Sequence, residues 1–276
     1  MYRGITKAGL GNISDDKRFI ELAAEFGFQS VDLDALGFID QYGLEKAKGI
    51  LNENNVKVGS IGLPVEWRTS VEEFNQDLTK LASVAKAAAD LGITRCCTYI
   101  LPSTDLKSAN LMSLAVTRLR ICAEVLGSYG IRLGLEYVGP HHLRNRWANP
   151  FIWTQKETLE LIDAIGLPNV GLLLDSYHWY TTGLTSDDLA NLTVNQIVHV
   201  HINDAYDLPV EELKDNDRLI TGEGVIDLPL FLNSIKRTGY SGPIAQEVLT
   251  PSSPTDSVEE LFRRSKNGFD KVFSKI

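Results

Sequence analysis

Short apolar runs alternate with amphipathic stretches along the whole chain. Each run is followed by a turn and then by a stretch in which apolar residues recur every three to four positions. Continuous apolar runs of this length are typical of buried strands, and the longer period is typical of helices packed on a sheet. The pattern predicts eight strands, at 5–10, 30–33, 56–61, 94–100, 131–135, 170–174, 197–202 and 244–248.

Start and stop signals indicate helices between these runs. Ser14 is predicted to open the first helix, and Gly27 ends it. Thr154 and Glu157 form a capping-box pattern, and Gly166 ends the helix that they open. Further helices are predicted at 44–54, 71–88, 111–122, 187–192, 228–237 and 257–273.

Strict alternation of strands and helices predicts a parallel sheet. Eight such units in 276 residues favour a single α/β domain over residues 1–276, folded as a closed (β/α)₈ TIM barrel. The main alternative is an open, doubly wound sheet. No GxGxxG pattern follows the first strand and no GxxxxGK[ST] pattern is present, which argues against a dinucleotide site and a phosphate-binding P-loop.

Composition and charge restrict the class of partner. The net charge is −9 and no run of Lys or Arg interrupts the acidic balance, which argues against nucleic acid as a partner. No apolar run approaches the roughly 20 residues of a membrane helix, and residues 1–12 lack the apolar core of a signal peptide. Cys96, Cys97 and Cys122 are predicted to be reduced thiols, which favours a cytoplasmic location.

Potential metal ligands end four consecutive predicted strands. Glu136, Asp175 and Glu247 supply carboxylates there, and His201 supplies an imidazole. Neighbouring barrel strands bring their tips together, where three carboxylates repel one another unless a cation compensates. Oxygen donors with one nitrogen suit Mn²⁺, Mg²⁺ or Co²⁺ better than a thiolate-rich zinc site. The alternative is that each residue makes ordinary local hydrogen bonds at a strand end.

Other candidate residues lie in the connections after these strands. His178 lies in the turn after the sixth strand and His142 in the long connection after the fifth, where each is a candidate to bind a polar substrate. Trp67 and Trp147 offer aromatic faces for a sugar ring. The alternatives are loop histidines and tryptophans that serve only packing. His199 is predicted to be a hydrogen-bonded core residue.

Several of these segments resemble one known family, the sugar phosphate isomerase/epimerase superfamily of xylose isomerase-like TIM barrels. Its members include ketose 3-epimerases and inosose dehydratases. The resemblance covers essentially the whole chain and is strongest from 133 to 249. The matching segments are Gly134-Leu135-Glu136, Leu174-Asp175-Ser176-Tyr177-His178, His199-Val200-His201-Ile202-Asn203-Asp204, Gly222-Glu223-Gly224 and Gln246-Glu247.

The resemblance implies one divalent metal ion, for which manganese, cobalt and magnesium are the expected choices and zinc is also compatible. The implied ligands are Glu136, Asp175, His201 and Glu247. Glu136 and Glu247 would also transfer protons on opposite faces of the substrate, while His178 and Arg218 would hold substrate oxygens. Trp67 and His142 are expected to face the same pocket as His178 and Arg218.

This sequence departs from the ketose 3-epimerases of that family at two places. Those enzymes usually carry a second Glu six residues after the first metal-binding Glu, and here His142 takes that place. Their substrate-binding Arg also lies closer to the metal-binding His than Arg218 lies to His201, because the acidic segment 204–217 intervenes.

The function predicted from these residues is a metal-dependent sugar isomerase or epimerase that removes a proton next to a carbonyl and works through an enediolate. A lyase or dehydratase acting on a keto-inositol or keto-glycoside is the alternative on the same scaffold. A non-catalytic sugar-binding protein and an endonuclease IV-like repair enzyme remain less favoured hypotheses. The expected partner is a small sugar or polyol ketone, which places the protein in carbohydrate metabolism, and a homo-oligomer is compatible with the sequence.

Overall fold

A parallel sheet rolled into a nearly closed barrel forms the centre of the molecule. The computed structural model describes residues 1–13 and 15–276. The strands are β1 (Tyr2–Ile5), β2 (Ser30–Val31), β3 (Lys57–Val58), β4 (Ile61–Gly62), β5 (Arg95–Ile100), β6 (Ser103–Thr104), β7 (Arg132–Tyr137), β8 (Asn149–Pro150), β9 (Val170–Asp175), β10 (Ile197–Ile202) and β11 (Pro243–Gln246).

Helices surround this sheet. They are α1 (Asp16–Glu25), α2 (Ala35–Tyr42), α3 (Leu44–Glu53), α4 (Val71–Asp90), α5 (Ser108–Gly127), α6 (His141–Arg144), α7 (Gln155–Ile165), α8 (Ser176–Thr181), α9 (Ser186–Ala190), α10 (Leu228–Arg237) and α11 (Val258–Phe273). Two short 3₁₀ helices cover Val194–Gln196 and Val210–Glu212. No helix in the described ranges has both the length and the apolar character needed to cross a bilayer.

The nine strands of the main sheet run in the order β3-β2-β1-β11-β10-β9-β7-β5-β4, and every pair is parallel. Its first and last strands, β3 and β4, are successive pieces of one chain segment, separated only by Gly59 and Ser60. The ring of strands therefore closes through this segment, and the predicted TIM barrel is confirmed. The remaining strands, β6 and β8, form a separate antiparallel pair on the loops.

The break between β3 and β4 has a side-chain cause. Asp32 accepts the Ser60 backbone N–H at 2.9 Å, so a carboxylate replaces the neighbouring strand at this point. A Cβ at Gly59 would lie 2.6 Å from an Asp32 carboxylate oxygen, which means that only glycine admits this approach. The predicted third strand is consequently two short strands that flank a carboxylate.

The structure differs from the sequence predictions at the first strand and by one additional helix, α2. The first strand occupies Tyr2–Ile5 instead of 5–10, because the chain turns after Ile5 and Gly9 adopts a φ of 73°. Helix α2 was not predicted, although Asp34 caps its first turn by accepting the Leu36 N–H at 3.1 Å. Ser14 lies outside the described residues, and Asp15 caps α1.

Other helix predictions agree closely with the structure. Thr154 and Glu157 form both hydrogen bonds of a capping box at the start of α7, and Gly166 ends that helix with a φ of 73°. The helix predicted at 228–237 is α10, with the same bounds. Helix α7 packs against β7 and β9, and α10 packs against α9 and α11.

Asp204 anchors the long connection that follows β10. Its side chain is 1% exposed and accepts the backbone N–H groups of Ala205 and Ile226 at 2.9 Å and of Gly222 at 3.1 Å. The backbone of Asp204 also forms an antiparallel bridge with Leu219. One carboxylate therefore ties together both ends of the segment that carries Arg218.

We expect Asp204→Ala to lower the free energy of unfolding by about 3 kcal/mol, because three buried N–H groups lose their acceptor at about 1–3 kcal/mol each. Asp204→Asn retains one carbonyl oxygen and should lose less. Urea unfolding of the two variants beside the wild type measures the effect. A loss below about 1 kcal/mol in the alanine variant would contradict this role.

The three cysteines are free thiols, as predicted. Burial raises the pKa of Cys97 and of Cys122 to about 12, and it raises the pKa of Cys96 well above its usual value. Because the thiolate is the reactive form, we expect all three to react with iodoacetamide at pH 8 at least about tenfold more slowly than free cysteine. Mass spectrometry checks this, and unfolding in guanidinium should restore normal rates. A cysteine that is alkylated rapidly in the folded protein would contradict the expectation.

Candidate metal centre and active site

A cluster of three carboxylates and one imidazole lies at the carboxyl ends of the barrel strands. Donor atoms of Glu136, Asp175, His201 and Glu247 all lie within 4.8 Å of one another. Glu136 lies on β7, Asp175 ends β9, His201 lies on β10, and Glu247 follows β11 directly. Asp175 and His201 are direct register partners across the sheet, so the parallel pairing itself aligns these two side chains.

His201 lies at the centre of this cluster. Its Nδ1 is 3.5 Å from a Glu247 oxygen and 3.8 Å from Glu136 Oε1. On the other side of the ring, Nε2 is 3.5 Å from Asp32 Oδ2. A metal-binding histidine normally directs its second nitrogen at a carboxylate that fixes the orientation of the ring. In this structure Nδ1 faces the two glutamates, and Nε2 faces Asp32 at 3.5 Å without a hydrogen bond.

The donor set fits a divalent ion. Glu136 Oε1 and His201 Nδ1 are buried and have no hydrogen-bond partner among residues 1–13 and 15–276. Ligands bound at about 2.0–2.2 Å lie at most about 4.4 Å apart, so an ion would need only a small contraction of the cluster. Carboxylate oxygens with one imidazole are the donors that Mn²⁺, Co²⁺ and Mg²⁺ sites use, and zinc also accepts them.

Asp175 differs from the other three members in its contacts. Its oxygens accept hydrogen bonds from the Tyr177 N–H at 2.6 Å, from Asn203 Nδ2 at 3.0 and 3.1 Å, and from Arg218 at 3.0 Å. Burial would raise the pKa of Asp175, but Arg218, His178 and His201 together lower it to about 2. Coordination by Asp175 would therefore replace one of these contacts.

The two glutamates differ in their electrostatic surroundings. Burial raises the pKa of Glu136, and the nearby carboxylates of Glu247 and Asp175 raise it further. Burial would also raise the pKa of Glu247, but His201 and Arg218 more than offset it, so this pKa is lowered. The cluster thus holds several carboxylates around one permanent cation, Arg218, and a metal ion would relieve their repulsion.

Arg218 lies inside the cluster despite the long acidic segment before it. Its guanidinium donates to Asp175 at 3.0 Å and to Asp215 at 2.8 Å, and it is 3.5 Å from Glu247. The side chain is almost fully buried. Segment 204–217 folds back through the bridge between Asp204 and Leu219, so its length does not carry Arg218 away from the carboxylate and histidine cluster.

His178 is buried beside Arg218. Its Nδ1 accepts the Gly139 backbone N–H at 3.2 Å, which leaves the proton of the neutral ring on Nε2. Nε2 is 3.9 Å from Glu136 Oε1 and 3.9 Å from Asp215. His178 therefore directs an N–H group at the carboxylates that surround the cluster.

His142 and Trp67 lie farther from the cluster. His142 is exposed on α6, next to the segment that carries Leu213 and Asp215, and partial burial lowers its pKa. Trp67 is fully buried and lines a separate cavity together with Trp147. The structure thus brings His178 and Arg218 to the cluster of carboxylates and His201, but it places His142 at the surface and Trp67 in a neighbouring cavity.

Beside the cluster is an open cavity of about 550 Å³, within the range of small-molecule sites. Glu136, His201 and Glu247 form one side of it, and Asp32 and Cys97 lie on its wall. The ion-ligand cluster and the space for a small substrate are therefore adjacent.

Asp32 is part of this site, although its position in the sequence did not predict it. The Asp32 carboxylate accepts a hydrogen bond from His199 Nε2 at 2.8 Å and also faces His201. It therefore connects the two histidines of β10. His199 is fully buried, as predicted for a core residue. In the sequence, Asp32 comes directly after a buried run, as the other carboxylates of the cluster do. That run is a very short strand on the opposite side of the barrel.

Comparison with known proteins agrees with this architecture. Residues 20–267 match the family model described as xylose isomerase-like TIM barrel. An inosose isomerase from Halalkalibacterium halodurans is 25% identical, with 99% of this chain and 96% of that protein covered. A ketose 3-epimerase from Arthrobacter globiformis is 25% identical, with 84% and 77% covered. A 3-dehydroshikimate dehydratase from Pseudomonas putida is 30% identical, but over only 49% of this chain and 20% of that protein.

Solved structures give the same result. A xylose isomerase domain protein from Alicyclobacillus acidocaldarius superposes with a TM-score of 0.92 at 33% identity, with 100% of this chain and 99% of that chain covered. The IOLI protein, solved with a bound zinc atom, superposes with a TM-score of 0.83 at 22% identity over 100% and 99% of the two chains. The chain therefore belongs to the xylose isomerase-like TIM barrel family.

Proposed function

We propose that this protein is a metal-dependent isomerase or epimerase that acts on a sugar or polyol ketone by removing a proton next to the carbonyl. The observation that carries the proposal is that Glu136 and Glu247 flank His201 at the side of an open cavity of about 550 Å³. Relatives named inosose isomerase and ketose 3-epimerase support this reaction class.

The metal would be held by Glu136, Asp175, His201 and Glu247, and Asp32 would keep the His201 ring in its binding orientation. When bound, a divalent ion polarises the carbonyl of a hydroxy-ketone and acidifies the neighbouring C–H. Manganese, cobalt and magnesium are the ions that the donor set favours, and the zinc atom of the structurally similar IOLI protein supports zinc as a further candidate.

Glu136 and Glu247 would move the substrate proton. A carboxylate that holds a metal with one oxygen retains a second oxygen to accept or return a proton. Their oxygens approach the same imidazole nitrogen from two strands, β7 and the end of β11, so they reach a substrate in the cavity from different directions. Return to the opposite face gives epimerisation, and return to the adjacent carbon gives isomerisation.

Arg218 and His178 would hold substrate oxygens. Both direct N–H groups at the cluster from one side, and Arg218 is already anchored by Asp215 at 2.8 Å. His142 and Trp67 stay candidate substrate contacts, since long or branched substrates extend beyond the cavity that holds the ketone. No basic groove accompanies this site in the described residues, and a small neutral substrate fits the charge of the chain better than nucleic acid does.

A dehydratase or lyase acting on a keto-inositol or keto-glycoside is the second candidate. The relative named 3-dehydroshikimate dehydratase supports it, and the first proton removal is the same in both reactions. The reactions diverge when a β-hydroxyl leaves, and His178, whose Nε2 is 3.9 Å from Glu136, is a candidate proton donor to it. Loss of one water from the substrate, measured by mass spectrometry, identifies dehydration.

The deciding experiment incubates the protein with manganese in deuterated water and a panel of inososes and ketohexoses. The proposal expects deuterium at a carbon next to the carbonyl, detected by NMR, with a new epimer or isomer among the products. Glu259→Gln is the matched control, because Glu259 is an exposed glutamate on α11 that pairs with Arg18. Absence of exchange into every ketone of the panel would overturn the proposal.

A further inference from the structure

A second cavity of about 450 Å³ adjoins the cavity of the metal ligands. Tyr99 lines both cavities, and it is the direct register partner of Glu136 in the parallel pairing of β5 with β7. Neighbouring strands are about 4.8 Å apart, so the second cavity begins one strand away from a proposed proton-transfer residue. A substrate that occupied only the cavity beside Glu136, His201 and Glu247 would leave this second cavity empty.

Aromatic side chains form much of the wall. Tyr99 is 44% exposed there, Trp147 is partly exposed, and Trp67 forms part of the floor. Arg68 covers one face of the Tyr99 ring at 4.2 Å, and Arg146 lies 5.0 Å from the centre of the Trp147 ring. Amphipathic rings of this kind are suited to ligands with one apolar and one polar side, such as the C–H face of a pyranose.

Polar groups in the wall have unused hydrogen-bonding capacity. The indole N–H of Trp67 is buried without a hydrogen-bond partner among residues 1–13 and 15–276. The Thr104 hydroxyl accepts the Leu106 N–H at 3.1 Å and has its own proton left to donate. Asp105 makes one long contact to the Ala148 N–H at 3.4 Å, so its carboxylate has further acceptor positions. Hydroxyl-rich ligands satisfy such mixed donors and acceptors.

The charge of the cavity argues against an anion. Arg68 is its cation, and Glu66 neutralises it through two hydrogen bonds of 2.7 Å. Asp105 adds a negative charge, and the whole chain carries −9. Arg146 beside Trp147 offsets the charge of Asp105, so the wall has no net charge and favours a neutral ring over a phosphate or carboxylate group.

Backbone pairing organises this wall. Strands β6 and β8 pair antiparallel, with Ser103 opposite Pro150 and Thr104 opposite Asn149. The Trp147 backbone N–H donates to the Ser103 hydroxyl at 3.3 Å, which fastens the tryptophan to this pair. A preformed wall lowers the entropic cost of binding.

We propose that this second cavity binds a neutral glycosyl ring attached to the ketone that reacts at Glu136 and Glu247, so that the preferred substrates are two-ring keto-sugars. The proposal rests on the proposed function for the ketone part of the substrate. It adds a binding site for the second ring, with Trp147, Tyr99 and Asp105 as its specificity-determining residues.

The test compares one-ring and two-ring ketones on the magnesium-loaded protein by isothermal titration calorimetry. The probes are D-fructose and its three glucosyl derivatives turanose, maltulose and isomaltulose, which differ in the position of the linkage. We expect the best two-ring probe to bind at least about tenfold more tightly than D-fructose. Trp147→Ala should reduce this ratio to about threefold or less, and Asp105→Ala should reduce it as well.

Tyr206→Ala is the matched control, because Tyr206 is 40% exposed on the loop after β10 and does not line the second cavity. It should leave the ratio unchanged. The proposal is overturned if no two-ring probe binds more tightly than D-fructose, or if Trp147→Ala and Asp105→Ala both retain the wild-type ratio. It is also overturned if Trp147→Ala instead dissociates an oligomer in analytical ultracentrifugation, since a second copy of the chain would then cover the cavity.

A separate arm distinguishes failure of this proposal from failure of the proposed function. Methyl α-D-glucopyranoside carries the second ring without a ketone, and we expect wild type to bind it and Trp147→Ala to lose that binding. If no ketone exchanges deuterium but this glycoside binds through Trp147, the subsite stands and the isomerase proposal fails. If ketones exchange but the glycoside does not bind, the isomerase proposal stands and the subsite fails.

Discussion

Glu136→Gln and Glu247→Gln are each expected to lower the rate of solvent deuterium exchange into a substrate ketone by about 10²–10⁴-fold, the usual contribution of a positioned acid or base. Glutamine keeps the shape of the side chain and one oxygen that can bind a metal, but it has no basic oxygen. Each variant should therefore retain weakened metal binding while it loses proton transfer. NMR of the substrate in deuterated water measures the exchange rate, and metal analysis of each variant separates the two effects.

Glu259→Gln removes the same group from an exposed position and should exchange at the wild-type rate. His178→Ala should act mainly on substrate affinity, because His178 lies 3.9 Å from Glu136 and is outside the ligand set. If both glutamine variants at the cluster exchange at the wild-type rate, Glu136 and Glu247 are structural only. His142 would then be the first alternative base to test.

The fold could be predicted because its pattern is local and repeated. Each buried run and each helix stop, such as Gly166 at the end of α7, can be identified from a few neighbouring residues. The boundaries that were wrong depend on distant contacts. β1 ends at Ile5 because its pairing with β11 ends there, and the break at Gly59 exists because the Asp32 carboxylate, which follows β2, occupies the gap. The extent of residues 1–276 as one domain stays a prediction.

The ligand cluster could be inferred because parallel strands place successive ends side by side. That rule predicts a common location for Glu136, Asp175, His201 and Glu247, and the structure brings their donor atoms within 4.8 Å. Asp32 follows the same rule, but it comes directly after β2, which lies three strands from β10 in the sheet order. The curvature of the barrel brings it to His201. Contacts across the barrel interior leave no periodic signal in the sequence.

Loop residues were harder to place. Trp67 and His142 follow the third and fifth predicted strands, which is where active-site residues of barrels lie. However, the burial of Trp67 and the exposure of His142 depend on how the loops pack. Arg218 reaches the cluster because Asp204 fixes the loop through backbone N–H groups that lie 18 and 22 residues farther along the chain. Neither kind of contact follows from residue spacing alone.

Divalent metal is expected to raise the stability of the protein against unfolding by about 4 kcal/mol when its free concentration is about 1,000 times its dissociation constant. Two causes act together. The ion binds only the folded arrangement of the cluster, and its charge offsets the burial and the neighbouring carboxylates that together raise the pKa of Glu136. Urea unfolding in excess manganese, and again after a chelator, measures the difference.

His201→Ala removes the one nitrogen donor, whose Nδ1 is 3.5 and 3.8 Å from the two glutamates. Most of the stabilisation by metal should disappear in this variant, because the remaining carboxylates lose the central ligand that spaces them. His141→Ala is the matched control, since it removes a partly exposed imidazole from α6 and should keep the full effect. A protein that gains no stability from manganese, cobalt, magnesium or zinc, or that gains as much in His201→Ala as in wild type, would show that this cluster does not bind the ion.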